Sequence, residues 1–515
     1  MHNLAIQVAA LALSGALCFL VLFRRGRASS TLPPGPAGLP FLGNMLQIPR
    51  FKTWMYFDRL VSTYGPLVSL TLAGDNLLVL GDPQDAEELL GRRSHNYSSR
   101  KPLIFAGKYQ SNNKRLVLLP YGDALKRQRA AFHQMLQPRV IGAYEAIQEI
   151  ESAKLLHELL ARPDALRLER HCRRYTAALV FHLSYGRRLA DDDTDLTAIE
   201  EILDHFVKDS DVGAHLVDTF PVLDRLPDLL APWRAKARAR HVVEATFYQR
   251  LVDQVKHDMA SGNAEMECFA ARLWEQQEKF GLDAEELAYV AGSAFEAGTA
   301  ATSGTMLWFV MAMVLHPATM HKAQAEIDAV VGADGSVMPG FAHIDDLPYC
   351  AALTKEVFRW APATPIVFPH YSDHDDEYKG YKIPARTQVV PCIWTMHRNP
   401  LQYPTPDVFD PDRFVRGNST ASADTLAEGH YGFGFGRRKC PGQYLAARTI
   451  WLAVVRLLWA FNIGPARDAA GNALSVDPAD CTSGISSRPN PFPVHMAVRS
   501  EGHAHTVEAT WEINK

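Results

Sequence analysis

The residues of this 515-residue chain best suited to chemistry sit in one short stretch, Phe433-Gly-Phe-Gly-Arg-Arg-Lys-Cys-Pro-Gly442. Its one cysteine, Cys440, lies in a setting that suits a metal-bound thiolate. Arg437, Arg438 and Lys439 put positive charge beside the sulfur, which favours thiolate over thiol. Gly434, Gly436 and Gly442 let the backbone come close to a flat ligand and turn tightly around it. The residues from Gln443 to Ala453 are good helix formers. A helix starting there aims its N-terminal amides at Cys440 and further stabilises the anion. The competing reading is a glycine-rich turn with a buried structural cysteine.

The pattern F-x-x-G-x-R-x-C-x-G, carried here by Phe433, Gly436, Arg438, Cys440 and Gly442, resembles the haem-binding loop of the cytochrome P-450 family. The resemblance implies haem b, held through iron by Cys440. Tyr121 to Gln134 resembles the helix that carries W-x-x-x-R in this family. It puts Arg129 at the arginine position, which pairs a haem propionate through a planar fork able to bond both carboxylate oxygens. The tryptophan position holds Leu125 instead. His370 and Arg438 occupy the other two positions from which the family bonds propionates. A basic solvated helix face and a free surface histidine are the plainer readings of Arg129 and His370. Glu356 and Arg359 are three apart and share a helix face, so they can pair. With Arg413 of Pro411-Asp-Arg-Phe414 they resemble the family's core ion-pair triad, a structural lock.

The oxygen side departs from the family. Phe295 to Thr305 reads FEAGTAATSGT, where members usually show A/G-G-x-D/E-T-T/S. Ala297 and Gly298 match, and Gly298 thins the helix beside a planar group. The acidic position holds Ala300, the threonine position Ala301, and Thr302 follows. The acid and threonine normally hold water and pass protons to the reacting oxygen, and two alanines can do neither. Thr299 and Thr302 point about 100° to either side of the missing groups. Glu296 lies one turn before Ala300 and shares its face. These three are the candidate catalytic residues, with a partnered structural carboxylate the plainer reading of Glu296. An apolar lining is expected from Phe105, Phe295, Ala297, Gly298, Ala301, Ile366, Val367 and Ile485, hence a lipophilic substrate. Ser483 and Gly484 are expected beside Ile485 at the tip of a terminal turn.

Several elements must position these residues. Asp283-Ala-Glu-Glu286 is a capped start for a helix of about thirty residues that meets no proline before Pro317. Leu67–Leu72 and Asn76–Leu80 around a turn predict a hairpin. Gly380 to Pro391 reads as a short strand pair. Residues 140 to 280 are helix-rich, and the family forms its lid there. The fold class expected is mainly α, the cytochrome P-450 fold with small β-sheets.

Leu4 to Phe23 is an apolar run without a charge, followed by Arg24, Arg25 and Arg27. It is long enough to span a bilayer, and the charge that follows it favours an uncleaved anchor over a cleaved signal peptide. The expected organisation is a membrane anchor (1–27), a proline-rich hinge (28–45), a catalytic domain (46–500) and a tail (501–515). The catalytic domain would face the cytosol at the endoplasmic reticulum, leaving the sequons at Asn96 and Asn418 unused. A net charge of -4 gives no basic excess for nucleic acid, and the seven scattered cysteines suit a reducing compartment. No dinucleotide fingerprint is present. Electrons from NADPH must then arrive through a separate reductase, with cytochrome b5 as a further donor. Arg127, Arg437, Lys439 and Arg448 are candidates for its docking surface.

The reading is a haem-thiolate monooxygenase that uses O2 on a lipophilic small molecule, resembling fungal secondary-metabolism members. Two other classes stand beside it. One is a haem-thiolate enzyme of rearrangement, cyclisation or desaturation, motivated by Ala300 and Ala301. The other is a non-catalytic haem- or lipid-binding membrane protein.

Overall fold

The computed structural model describes residues 32–161, 165–190, 193–211, 213–263, 268–415 and 425–514. Leu4–Phe23 and the sequon at Asn418 lie outside them. Asn96 is buried and its side-chain amide donates to the carbonyl of His374 at 3.2 Å, so it has no room for a glycan.

The expected hairpin forms. β1 (Leu67–Leu72) and β2 (Asp75–Leu80) pair antiparallel with Leu67 opposite Leu80. The Gly380–Pro391 run is not a strand pair. β5 (Tyr381–Ile383) pairs with β4 (Asp376–Tyr378), whereas β6 (Gln388–Pro391) joins the hairpin sheet, between β2 and β3 (His370–Tyr371). The four residues of β6 are buried on both faces, whereas β5 alternates. Their burial needs differ, and that difference sends them to different sheets. β7 (Phe461–Pro465) and β8 (Val494–Val498) form a third, two-stranded sheet.

Helices make the body. Those of twelve residues or more are α1 (Thr53–Tyr64), α2 (Asp123–Leu136), α3 (Glu145–Ala161), α4 (Ala165–Tyr185), α5 (Thr194–Ser210), α6 (Pro232–Ser261), α7 (Ala284–Leu315), α8 (Pro317–Val331), α9 (Pro348–Trp360), α10 (Gln443–Ala460) and α11 (Glu501–Asn514). α7 is the axis. The Asp283 side chain caps the Glu286 amide, the Glu286 side chain returns the bond, and Pro317 opens the next helix. Its 32 residues rise about 48 Å. It alone of the described helices is long and apolar enough to cross a membrane, but 72% of its most apolar window is buried, so its apolar surface serves the core.

α7 packs on α4. A Cβ at Gly298 would meet Val180 of α4 at 2.6 Å. The glycine therefore serves the close approach of two helices.

Glu356, Arg359 and Arg413 meet as one buried network. Arg359 forks onto both Glu356 oxygens at 2.7 Å, and Arg413 reaches the same carboxylate at 3.2 Å. The remaining guanidinium hydrogens go to the carbonyls of His397, Pro404, Pro406 and Val408. Residues 501–514, expected as a tail, form α11, which packs on α3 with Val507 fully buried.

Candidate functional site

The Cys440 loop is shaped by its own backbone. The Cys440 amide donates to the Phe433 carbonyl at 2.9 Å, and α10 begins three residues later at Gln443. Gly436 has φ +53°, and a Cβ there would sit 1.9 Å from the Leu90 carbonyl oxygen. Its need for glycine comes from this close approach to Leu90. The Gly442 amide donates to the sulfur, and Arg129 and Lys439 also favour the thiolate. Burial outweighs them and pushes the Cys440 thiol up.

The three cations next to Cys440 do not act alike, contrary to expectation. Arg437 is exposed and turned to the Tyr121 hydroxyl. Arg438 reaches the carbonyls of Ser98 and Leu119. Of the expected docking cations, Arg127 pairs with Glu286 at 3.1 Å and Arg448 pairs with Glu145. Only Lys439 of the neighbouring triplet lowers the proton affinity of the sulfur.

Arg438 belongs to a cluster of guanidiniums. Arg100, buried and not foreseen from the sequence, donates to the carbonyls of Phe368 at 2.6 Å and Val117 at 3.2 Å. Arg129 donates to the Lys439 carbonyl at 2.9 Å. Among the described residues none of the three forms a salt bridge. Burial lowers the proton affinity of all three. Arg129 and Arg438 depress Arg100 further, and Arg438 falls to about 9 with burial first and Arg129 second among the causes. His370, buried nearby, gives Nδ1–H to the Tyr97 carbonyl at 2.8 Å and is held neutral by burial, Arg100 and Arg438. It can donate to a carboxylate only as imidazolium, a form that an adjacent carboxylate would favour. Arg100 escaped the sequence reading because Ser99-Arg-Lys101 carries no spacing that marks it. Only the fold brings it to Arg129 and Arg438.

The third part is α7. Ala297 is exposed in the middle of this otherwise buried helix, and Gly298, Ala300 and Ala301 are half-open. α10 packs on α7. Thr299 is buried with its hydroxyl spent on its own helix, so the expectation that it serves the oxygen side is corrected, and Thr302 is buried one turn after Gly298. The Thr299 hydroxyl donates to the Phe295 carbonyl at 2.8 Å, and its own carbonyl accepts from Thr176 at 3.1 Å. Ser303 and Thr305 spend their hydroxyls on the carbonyls of Ala300 and Ala301. Glu296 is not free either, since Arg115 and Tyr248 hold its two oxygens.

Two pocket candidates are also corrected. Phe105 is fully buried, stacked on the His215 ring at 3.5 Å. Phe295 is fully buried edge-on to Phe181 and Tyr185. Large rings complete helix contacts here, and small residues line the open face. Ile366, Val367 and Ile485 stay half-buried. The Ser483 hydroxyl accepts from the Lys52 amide and donates to the Arg50 carbonyl.

A half-buried thiol, three guanidiniums without carboxylates and an open helix face of small residues fit one kind of group. It is flat, carries a metal for the sulfur and bears carboxylates for the arginines. Haem has these properties.

The comparisons agree. Residues 33–492 match the family model described as Cytochrome P-450. Cytochrome P-450 monooxygenase 58 of Postia placenta is 36% identical, over 97% of this chain and 95% of that one. Cytochrome P-450 monooxygenase 231 of the same fungus is 33% identical over 99% and 96%. Cytochrome P-450 monooxygenase aneD of Aspergillus aculeatus is 34% identical over 96% and 92%. A zebra fish cytochrome P-450 structure with progesterone superposes with a TM-score of 0.71 at 23% identity, over 87% of this chain and 99% of that one. This last likeness speaks to the fold. With a family model spanning most of its length, close fungal relatives and a site whose donors suit haem, the chain belongs to the cytochrome P-450 family of haem-dependent monooxygenases.

Proposed function

We propose that the chain hydroxylates or further oxidises a lipophilic small molecule of fungal secondary metabolism. It would use O2 and NADPH electrons passed on by a separate reductase. The observation that carries this is the Cys440 loop together with the unpaired cluster of Arg100, Arg129 and Arg438. Bound haem supplies oxygen activation, and a thiolate ligand favours O–O cleavage and hence oxidation of unactivated carbon. The protein's part is to hold and orient. Cys440 offers the sulfur, with the Gly442 amide on it. The arginines and His370 take the propionates, and Ala297, Ala300 and Ala301 shape an apolar wall. Leu4–Phe23 anchors the chain at the endoplasmic reticulum with the domain in the cytosol.

The test is the full chain with a P-450 reductase, NADPH and a panel of terpenoids, polyketides and alkaloids, read by product mass. Oxygen gain that depends on NADPH is expected. The bare Ala300–Ala301 face supports a second reading, a rearrangement, cyclisation or desaturation. Product formed without any electron donor would replace monooxygenation by rearrangement or cyclisation, and loss of two hydrogens without oxygen gain would mark desaturation.

A further inference from the structure

Arg115 spends every nitrogen of its guanidinium inside the protein. Nη2 pairs with Glu244 of α6 at 2.6 Å, Nη1 pairs with Glu296 of α7, and Nε donates to the Ser111 hydroxyl at 3.3 Å. The side chains of Arg115, Glu244 and Glu296 are 1%, 2% and 7% exposed. Gln110 donates to Glu244 at 2.6 Å and the Tyr248 hydroxyl donates to Glu296, so both carboxylates are themselves held. Burial works against the Arg115 charge, but Glu296 and Glu244 outweigh it and raise its proton affinity. The side chain has nothing left to offer a ligand. What it fixes is its own stretch of chain.

That stretch carries the carbonyls on which two of the clustered arginines rest. Leu116–Leu118 is a single 3-10 turn, closed by the Leu118 amide on the Arg115 carbonyl at 3.0 Å. The Val117 carbonyl accepts from Arg100 Nε at 3.2 Å, the Leu116 carbonyl from Arg438 Nη1 at 3.3 Å, and the Leu119 carbonyl from Arg438 Nη2. The second carbonyl on Arg100, that of Phe368 at 2.6 Å, leads back to the same residue. The Phe368 ring stacks on Phe206 of α5 with centroids 6.4 Å apart, and the Arg115 guanidinium lies over the Phe206 ring, 4.0 Å from its centroid. Arg100 is thus aimed from two sides, and both trace to Arg115. Its bonds to Val117 and Phe368 use Nε and Nη1, which leaves Nη2 for a carboxylate. Lys114 pairs with Asp283, and Gln128 holds the Lys114 carbonyl at 2.9 Å, so the start of the stretch is secured separately. Arg115 is its buried anchor.

We propose that Arg115 is a positioning residue for the haem propionates, aiming Arg100 and Arg438 through the carbonyls of Leu116, Val117 and Phe368. A guanidinium bonds a carboxylate well only when its planar fork is oriented. A side chain already held in that orientation loses less freedom when the carboxylate arrives. Arg115 supplies that order from a distance and touches no propionate itself.

The inference rests on the propionate reading of Arg100 and Arg438, which Arg100→Leu tests alone. The haem-loaded full chain is read in two ways that need no turnover, haem transfer to excess apomyoglobin and the propionate bending bands of the resonance Raman spectrum. Arg115→Met by itself strands two buried carboxylates, so it is combined with Glu244→Gln and Glu296→Gln, which leaves no charge unpaired. This triple variant should release haem about five-fold faster or more, the effect of about one lost hydrogen bond, and shift the bands. In the Arg100→Leu background the same triple change should speed release less than in wild type, because both act through one contact. A merely structural role would give additive effects. Phe206→Leu keeps every ion pair and should shift the bands in the same direction; alone and with Arg100→Leu it decides the matter where the triple variant does not fold. Unchanged bands and release, or additivity with Arg100→Leu, overturn the positioning role. Unchanged release in Arg100→Leu itself overturns the propionate reading, and the positioning role with it.

Discussion

At Cys440 two cations and an amide pull against burial, and burial is the larger effect. A metal is therefore the natural partner that would keep the sulfur ionised. Replacing Cys440 by Ser should abolish the thiolate-type carbon monoxide spectrum, and its survival would defeat the ligand assignment. Arg100 carries the next expectation. A charge-assisted bond is worth about 1.5–3 kcal/mol, so Arg100→Leu should speed haem transfer to excess apomyoglobin by about ten-fold or more. An unchanged rate would remove Arg100 from the propionate site. His430 carries a pH effect. Burial is the largest cause that lowers its pKa from 6.5 to about 3. As pH falls through that window the unfolded chain binds a proton that the folded chain refuses. Stability should fall by about 1.4 kcal/mol per pH unit from this group alone. In His430→Phe, which keeps the stack on Phe358, denaturant titrations across that window should show a shallower loss. An equal slope in both proteins would reject the assignment.

Among the elements, glycines decide how closely pieces approach. Gly436 has a left-handed backbone and a carbonyl where its Cβ would go. Gly436→Ala should cost about 2 kcal/mol or more, read as a lower melting temperature, and a neutral result would show that the loop shifts freely. Gly298→Val should push α7 off α4 by overpacking against Val180, at about 1–3 kcal/mol. The same packing explains the aromatic corrections. Phe105 and Phe295 are apolar enough for a pocket, but their rings fill gaps between helices, where they bury more surface. Hydroxyls on α7 follow suit. Thr299, Ser303 and Thr305 satisfy backbone carbonyls of their own helix, as short hydroxyl side chains do inside helices.

For the molecule as a whole, the Glu356–Arg359–Arg413 network ties α9 to the chain that leads to Cys440. Arg359→Leu leaves the Glu356 carboxylate with only Arg413 and the Asp410 amide in a dry site, and should cost about 3–5 kcal/mol and cut the yield of folded protein. Arg359→Lys cannot fork onto both oxygens and should rescue little. Full recovery by lysine would mean that charge alone matters there. The open face of α7 sits within this rigid frame, and its small residues leave the space that larger ones would fill.

Local chemistry was legible from the chain alone. The Cys440 loop, the capped start of α7, the β1–β2 hairpin and the Glu356–Arg359 spacing could all be read, because each depends on neighbours within a turn or two of sequence. The departure at Ala300 and Ala301 was legible for the same reason. Long-range neighbours were not. Arg100 joins Arg129 and Arg438 only in the fold. Glu296 acquires Arg115 across 181 positions of sequence. β6 leaves its apparent partner for β2. Which side of a helix faces a cavity is set by what packs against the other sides. A sequence lists the side chains on every face, and tertiary packing alone decides which of them remain open.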